Sequence, residues 1–275
     1  MGKLFLLRLK SNNCSKCRVS DNIFITEYSP RFPLIRRIYR DKYCTFTPQQ
    51  KLDYFQQKMP LQEYHITEPH GRLGLWHITE DEDCFLRKLP LSDSEKAEIA
   101  AVTGRKKLEK LAGKLLIKQL TGWAYSVVKD DFGKPFFKDS DLYLSLSHSG
   151  DYVVGIISEH VVGIDIQYIT PKIERVAPRV MNENKLKNLD PNNHLEHLHV
   201  YWGAKEALYK AYGQRSLDFK KHIIIEPFNY TLGSRSSVGT KITEGVVLAN
   251  NRTHRFDIFY KKIKNYILVY AIEKR

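Results

Sequence analysis

The chain has 275 residues, of which 42% are apolar and 12% aromatic, enough to bury the core of one large domain or two smaller ones. Its formal net charge of +13 points to an anionic partner, whether nucleic acid, acidic protein, phosphate-rich ligand or membrane surface, and does not choose among them. No apolar run reaches the length of a membrane span, and four scattered cysteines without a secretory h-region predict a reducing, cytoplasmic setting.

Residues 1–58 hold twelve Lys and Arg against four Asp and Glu, a net +8, which leaves +5 for the rest. They read as a basic N-terminal extension, disordered or foreign to the native product, because scattered apolar residues without a period bury little surface. Cys14 and Cys17 form half a zinc motif that only Cys44 extends, so the segment reads as metal-free. From Met59 onward periodic patterns begin. Leu73–Thr79 reads as a strand, and Ser92-Asp93-Ser94-Glu95 as a capping box opening a short helix. Gly104–Leu120 carries apolar residues at Leu108, Leu111, Ala112, Leu115 and Leu116, which is a helical period. Its entrance bears Arg105, Lys106 and Lys107 and its polar face bears Lys114. Such a run is commonly a solvated face, but three cations at a helix start oppose the macrodipole, which suggests an anion among them.

Strands follow at 125–129 and 136–137, broken by a turn whose Gly133-Lys134-Pro135 suits a reversal. Then come Leu144–Gly150, containing Ser147 and His148, and the apolar run Asp151–Ile157. No acid is placed to turn Ser-His-Ser into a nucleophilic triad, and the motif by itself reads as a polar turn. Val161–Gln167 is a β-branched strand with one carboxylate, Asp165, in its interior, and a buried Asp needs a partner or a metal. A helical region is predicted over 172–189 and a helix over His199–Gln214. On the latter, Tyr201, Ala204, Leu208 and Ala211 make an apolar stripe, while Trp202, Glu206 and Lys210 climb a second one. A Glu four residues before a Lys alone reads as a surface ion pair. A strand Asp together with a helix Glu, both in apolar company, is instead a minimal oxygen-ligand set for Mg²⁺. Strands are predicted at 222–227, 245–249, 255–260 and 266–272.

Gly163-Ile164-Asp165-Ile166, followed about forty residues later by Trp202-x-x-Lys205-Glu206-Ala207-x-x-Lys210, resembles the paired signature of the 4′-phosphopantetheinyl transferase superfamily. Both motifs in that order make the match specific, and it extends over roughly residues 73–275. The resemblance implies an α+β fold of two similar subdomains, 59–160 and 161–275, related by a pseudo-two-fold with the active site in the cleft between them. It implies Mg²⁺, or Mn²⁺, held by Asp165 and Glu206, with Glu206 as general base and Lys210 on a phosphate. It also implies coenzyme A contacts from Arg105, Lys106 and Lys114 to the 3′-phosphate, from Gly133, Lys134 and Pro135 to the nucleotide, and from Ser147 and His148 to phosphates. The implied reaction moves 4′-phosphopantetheine from coenzyme A to a serine of an acidic apo acyl or peptidyl carrier protein, carried out by a cytoplasmic monomer. Gln167 stands where many members have a second acid, which bears on metal affinity. Two other classes are weighed. A non-catalytic coenzyme A or carrier-protein binding module would dispense with a carboxylate, whereas Asp165, Glu206 and Lys210 are all present. A nucleic-acid binder is suggested by charge alone, since outside 1–58 no surface interleaves aromatic with basic residues.

Overall fold

The computed structural model describes residues 61–66, 71–182, 186, 188–214, 217–231 and 240–274. The basic extension 1–58 and the cysteines Cys14, Cys17 and Cys44 lie outside the described residues.

The first half runs β1 (Leu61–Ile66), β2 (Gly71–His77), α1 (Glu82–Lys88), α2 (Asp93–Ala100) and α3 (Gly104–Thr121), then β3 (Val127–Lys129), β4 (Pro135–Phe137), β5 (Tyr143–Ser149) and β6 (Tyr152–Ser158). The second half runs β7 (Val162–Tyr168), α4 (Ile173–Val180), α5 (His194–Tyr212), β8 (Ile223–Ile225), β9 (Lys241–Ala249), β10 (Arg252–Ile263) and β11 (Tyr266–Glu273). Local chemistry sets the boundaries. Ser92 caps α2 through the predicted capping box, with Glu95 answering the Ser92 N–H. Gly122 and Gly213 end α3 and α5 in the left-handed conformation. The Asn250-Asn251 pair supplies two positive φ values and turns β9 into β10.

Two antiparallel sheets result, ordered β1-β2-β6-β5 and β7-β11-β10-β9-β8, with β3-β4 as a separate ribbon. Each half repeats one connection: a strand, then helices, then a hairpin whose last strand returns to pair with the first. In each half the long helix lies on a glycine of that first strand. A Cβ on Gly74 would come within 2.6 Å of Leu116 on α3, and one on Gly163 within 1.8 Å of the Ala207 carbonyl on α5. Only glycine allows so close an approach.

Three apolar clusters fill the spaces between layers. One lies between α3 and the first sheet, around Leu111, Leu115, Leu116 and Ile157. A second lies between the sheets, around Leu73, Val154, Ile164, Ile166 and Leu268. The third lies between α5 and the second sheet, around Ala204, Leu208, Ile258 and Val269. The order is therefore helix, sheet, sheet, helix, and β6 and the first five residues of β7 are buried on both faces. That explains their continuous apolar runs in place of an alternating pattern.

Several boundaries differ from the sequence reading. β1 and α1 were not predicted; β1 pairs with β2 throughout its length, and α1 is short and buries only Phe85. Of the helical region predicted over 172–189, α4 ends at Val180 and Leu186 is again helical, its N–H on the Asn182 carbonyl at 3.2 Å, while 183–185 and 187 lie outside the described residues. Pro178 lacks the N–H that would bond to the Glu174 carbonyl, and the chain turns extended at Met181. α5 begins five residues earlier than the predicted His199, because its apolar face continues through Leu198 and His197. Among the described residues no helix is long and apolar enough to cross a membrane.

The α2–α3–β3 corner carries a charge network. Glu98 receives Lys129, Lys114 at 3.2 Å and Lys110 at 3.7 Å, and Glu95 receives Lys114 at 3.1 Å. The Lys129 hydrogen bond foremost, then Lys114, holds the Glu98 carboxyl down at about 2. A folded-state value below the unfolded one contributes stability that is full above the ordinary glutamate pKa and is lost as pH falls towards 2. The group is largely solvent-screened, so the contribution is about 1 kcal/mol. Urea midpoints measured from pH 6 to pH 2.5 should therefore fall less steeply for Glu98→Gln than for the parent chain, and equal slopes would show that the network contributes nothing.

Candidate active site

β7 is an edge strand of the second sheet, and its only acidic side chain, Asp165, points towards α5. A Cβ on Gly203 of that helix would lie 3.9 Å from Asp165 Oδ2. Asp165 is 2% exposed, so its charge requires partners. It has three. Ser147 on β5 donates to Oδ1 at 2.8 Å, Lys210 on α5 donates to Oδ1 at 2.6 Å, and Gln167 donates to Oδ2 at 2.7 Å. Lys210 spends its other two donors on Ser147 Oγ at 2.8 Å and the Ile164 carbonyl at 3.2 Å. One carboxylate, one ammonium and one hydroxyl, drawn from both halves of the chain, thus form a closed triangle.

Glu206 stands one turn before Lys210 on the same face of α5. It is half-buried and makes no hydrogen bond or ion pair among the described residues. Burial pushes its carboxyl up, the Asp165 charge pushes it further, and Lys210 opposes both. Two carboxylates with one ammonium between them leave the pocket short of positive charge. An added hard cation would relieve the strain recorded in Glu206, and the oxygens of Asp165, Glu206 and Gln167 suit Mg²⁺ or Mn²⁺. Among the described residues no group of three or more His, Cys, Asp and Glu gathers for a metal, so any ion here relies on these two carboxylates and water.

The other predicted site residues are placed differently. Ser147 and His148 are neighbours on a strand and point to opposite faces. Ser147 joins Asp165, while His148 is exposed and faces Glu109 of α3 at 3.2 Å. Arg105 donates to the Gly150 carbonyl and pairs with Asp151 at 2.9 Å, which fastens the start of α3 to the β5–β6 turn. Lys106 is exposed, and Lys114 is engaged by Glu95 and Glu98 on α2. The three cations therefore do not converge. Asp130 accepts the Phe132 and Lys134 N–H groups and shapes the Gly133-Lys134-Pro135 turn. From there Lys134 reaches across to the Ala211 carbonyl at 2.5 Å, at the negative end of α5. Burial lowers its pKa, with Asp130 and Glu273 acting against the shift. A cavity of about 520 Å³ opens here, lined by Lys134, Tyr143, Tyr212, Arg252, His254 and Glu273. It lies beyond the end of α5 and does not include Asp165 or Glu206 among its walls.

Two residues were given no role of their own in the sequence reading. Lys205 is 3% exposed, and its ammonium bonds to the Phe219 and Ile223 carbonyls. Its signal was its phase, since it falls between Tyr201 and Leu208 at i+4 and i−3 on the apolar stripe. His199 accepts the Thr170 N–H at 3.0 Å on Nε2, tying the chain after β7 to α5, and burial lowers its pKa. Trp202, read on the polar stripe, stacks on Phe219 at 5.7 Å and belongs to packing.

The family model of the 4′-phosphopantetheinyl transferase superfamily matches residues 161–250, which contain Asp165, Glu206 and Lys210. The chain is 29% identical over 140 residues to the 4′-phosphopantetheinyl transferase gsp of Aneurinibacillus migulanus, covering 47% of this chain and 59% of that protein. It is 24% identical over 196 residues to a 4′-phosphopantetheinyl transferase of Bacillus subtilis, covering 62% and 85%. With the 4′-phosphopantetheinyl transferase AcpT of Escherichia coli O157:H7 it shares 32% over 110 residues, covering 38% and 56%. Through the segment that carries Asp165, Glu206 and Lys210, the chain is similar to the 4′-phosphopantetheinyl transferase superfamily.

Proposed function

We propose that this protein transfers 4′-phosphopantetheine from coenzyme A to a serine hydroxyl of an acidic apo acyl or peptidyl carrier protein and releases adenosine 3′,5′-bisphosphate. The observation that carries the reading is the Asp165–Lys210–Ser147 triangle with Glu206 beside it, built inside the matched segment and completed by a serine from the other half. In this reading residues 59–160 and 161–275 are two subdomains related by a pseudo-two-fold. The repeated strand–helix–hairpin order supports it, and the reaction takes place in the cleft between them. The protein works as a cytoplasmic monomer.

The carrier serine oxygen forms a bond to the β-phosphorus of coenzyme A as the bond to the bridging oxygen breaks, and adenosine 3′,5′-bisphosphate leaves with that electron pair. Negative charge grows on the phosphoryl and leaving oxygens, so positioned cations matter most. Asp165 and Glu206 would hold Mg²⁺, which would supply positive charge for the pyrophosphate. Glu206, whose burial raises its proton affinity, accepts the serine proton. Asp165 holds the Lys210 ammonium at the site, and Lys210 stabilises a phosphate oxygen as a point charge. Gly133-Lys134-Pro135, with its half-buried ammonium, lies against the nucleotide. Arg105 and Lys106 border the entrance, whereas Lys114 is held on α2 and serves stability.

Incubation of the protein with coenzyme A, Mg²⁺ and a panel of apo carrier proteins should add one phosphopantetheine to a single serine of at least one carrier, read by intact mass and peptide mapping. Unmodified carriers throughout, alongside a transferase control that modifies them, would remove the reading.

A further inference from the structure

β5 and β7 run side by side in the same direction where the edge of one sheet meets the edge of the other, yet no main-chain ladder joins them. An edge strand presents unpaired N–H groups, and burying them without acceptors is costly. Here the acceptors are serine hydroxyls. Ser145 Oγ accepts the Ile164 N–H at 3.1 Å, and Ser149 Oγ accepts the Tyr168 N–H at 3.1 Å. Ser147 lies midway between them on the same edge, and its hydroxyl meets Asp165 and Lys210.

The spacing makes this a register lock. Residues 145 and 149 are four apart, as are 164 and 168, and both bonds join positions nineteen apart in the chain. Strand rise is nearly constant, so both bonds form together only when β5 and β7 are aligned one way. A slip of one residue would carry Ser147 to the far side of its strand, away from Asp165. Alanine at 145 strands the buried Ile164 N–H, and alanine at 149 leaves the exposed Tyr168 N–H to water and unfastens that end of the strand pair.

We infer that Ser145 and Ser149 are positioning residues of the transfer reaction, whose hydroxyls lock β5 to β7 and so set Ser147 against Asp165 and Lys210. The kinetic half of this inference rests on the transferase reading, and the structural half on the hydrogen bonds alone.

The test compares the full chain with Ser145→Ala, Ser149→Ala and Ser149→Thr, by amide exchange and by steady-state kinetics with coenzyme A and a modified carrier. Ser149→Ala should speed exchange at Tyr168 by about tenfold or more, and Ser145→Ala should do so at Ile164, with amides in the β10–β11 pairing unchanged. The KM for coenzyme A should rise by about fivefold, with kcat changed by less than about twofold, because groups contributed by separate halves are displaced before the chemical step. Ser149→Thr keeps the hydroxyl and should restore both readouts. Should Ser145→Ala fail to fold, Ser149→Ala, at the partly exposed end, carries the test. Parental exchange rates at Ile164 and Tyr168 would overturn the lock. Faster exchange with unchanged KM and kcat would overturn the positioning role. If the parent chain modifies no carrier, the transferase reading and the kinetic role fall together, while the exchange rates still decide the lock.

Discussion

Asp165→Ala should lower the rate of phosphopantetheine transfer by about a thousandfold, the equivalent of roughly 4 kcal/mol in the barrier. It should also destabilise the protein. Asp165 accepts from Ser147, Lys210 and Gln167 at once. Removing it leaves three donors, one of them an ammonium, without their acceptor, at a cost of about 2–3 kcal/mol, reduced from the fully buried case because Lys210 retains some exposure. Glu206→Gln makes the contrast. It should lose activity to a similar degree, yet leave thermal stability unchanged or slightly raised. The folded-state pKa of Glu206 is raised by burial and by Asp165, so the ionised form is disfavoured by folding, and that penalty is present at neutral pH and disappears as pH falls. Thermal melts and single-turnover rates on both variants check the pair. A Glu206→Gln protein that transfers at the parental rate would exclude Glu206 as base and as ligand. An Asp165→Ala protein of parental stability would show that the triangle contributes no net energy.

Lys205→Met should be the most destabilising single change on α5. The ammonium of Lys205 is buried and holds the carbonyls of the half-buried Phe219 and the fully buried Ile223. Methionine fills much of the volume but donates nothing, so the Ile223 carbonyl is orphaned at about 1–3 kcal/mol and the half-buried Phe219 carbonyl loses its donor at a smaller cost. A total near 3 kcal/mol corresponds to a fall in melting temperature of roughly 6–12 °C for a chain of this size. Calorimetry with and without the substitution measures it, and a fall of under 2 °C would show that the carbonyls find other partners. Because Lys205 precedes Glu206, loss of this anchor should also lower activity at temperatures below the melt, as the helix loses its fixed height over β7.

Periodicity exposed α3 and most of α5, since an apolar residue every three or four positions specifies a helix wherever the chain is placed. The capping box at Ser92 was equally legible, because capping is settled by residues within one turn of each other. β1 and α1 were missed because short elements draw their stability from neighbours, β1 from its ladder with β2 and α1 from the burial of Phe85. The helical region predicted over 172–189 neglected the break after Val180, which Pro178 made visible in the sequence.

For the site, the sequence by itself determined that Asp165, Glu206 and Lys210 belong together, because an acid inside an apolar strand and a helix stripe at four-residue spacing each call for a partner that the other supplies. Tertiary structure decided which atoms meet. Ser147 and His148 are adjacent in sequence, yet strand geometry sends one to Asp165 and the other to Glu109. Lys114 sits one helix turn from Lys110 on a face that read as a phosphate site, but α2 folds back and gives both lysines to Glu95 and Glu98. Charge along a chain shows where a counter-charge is needed, and only the packing of one element on another settles whether that counter-charge comes from the protein or is left to a ligand.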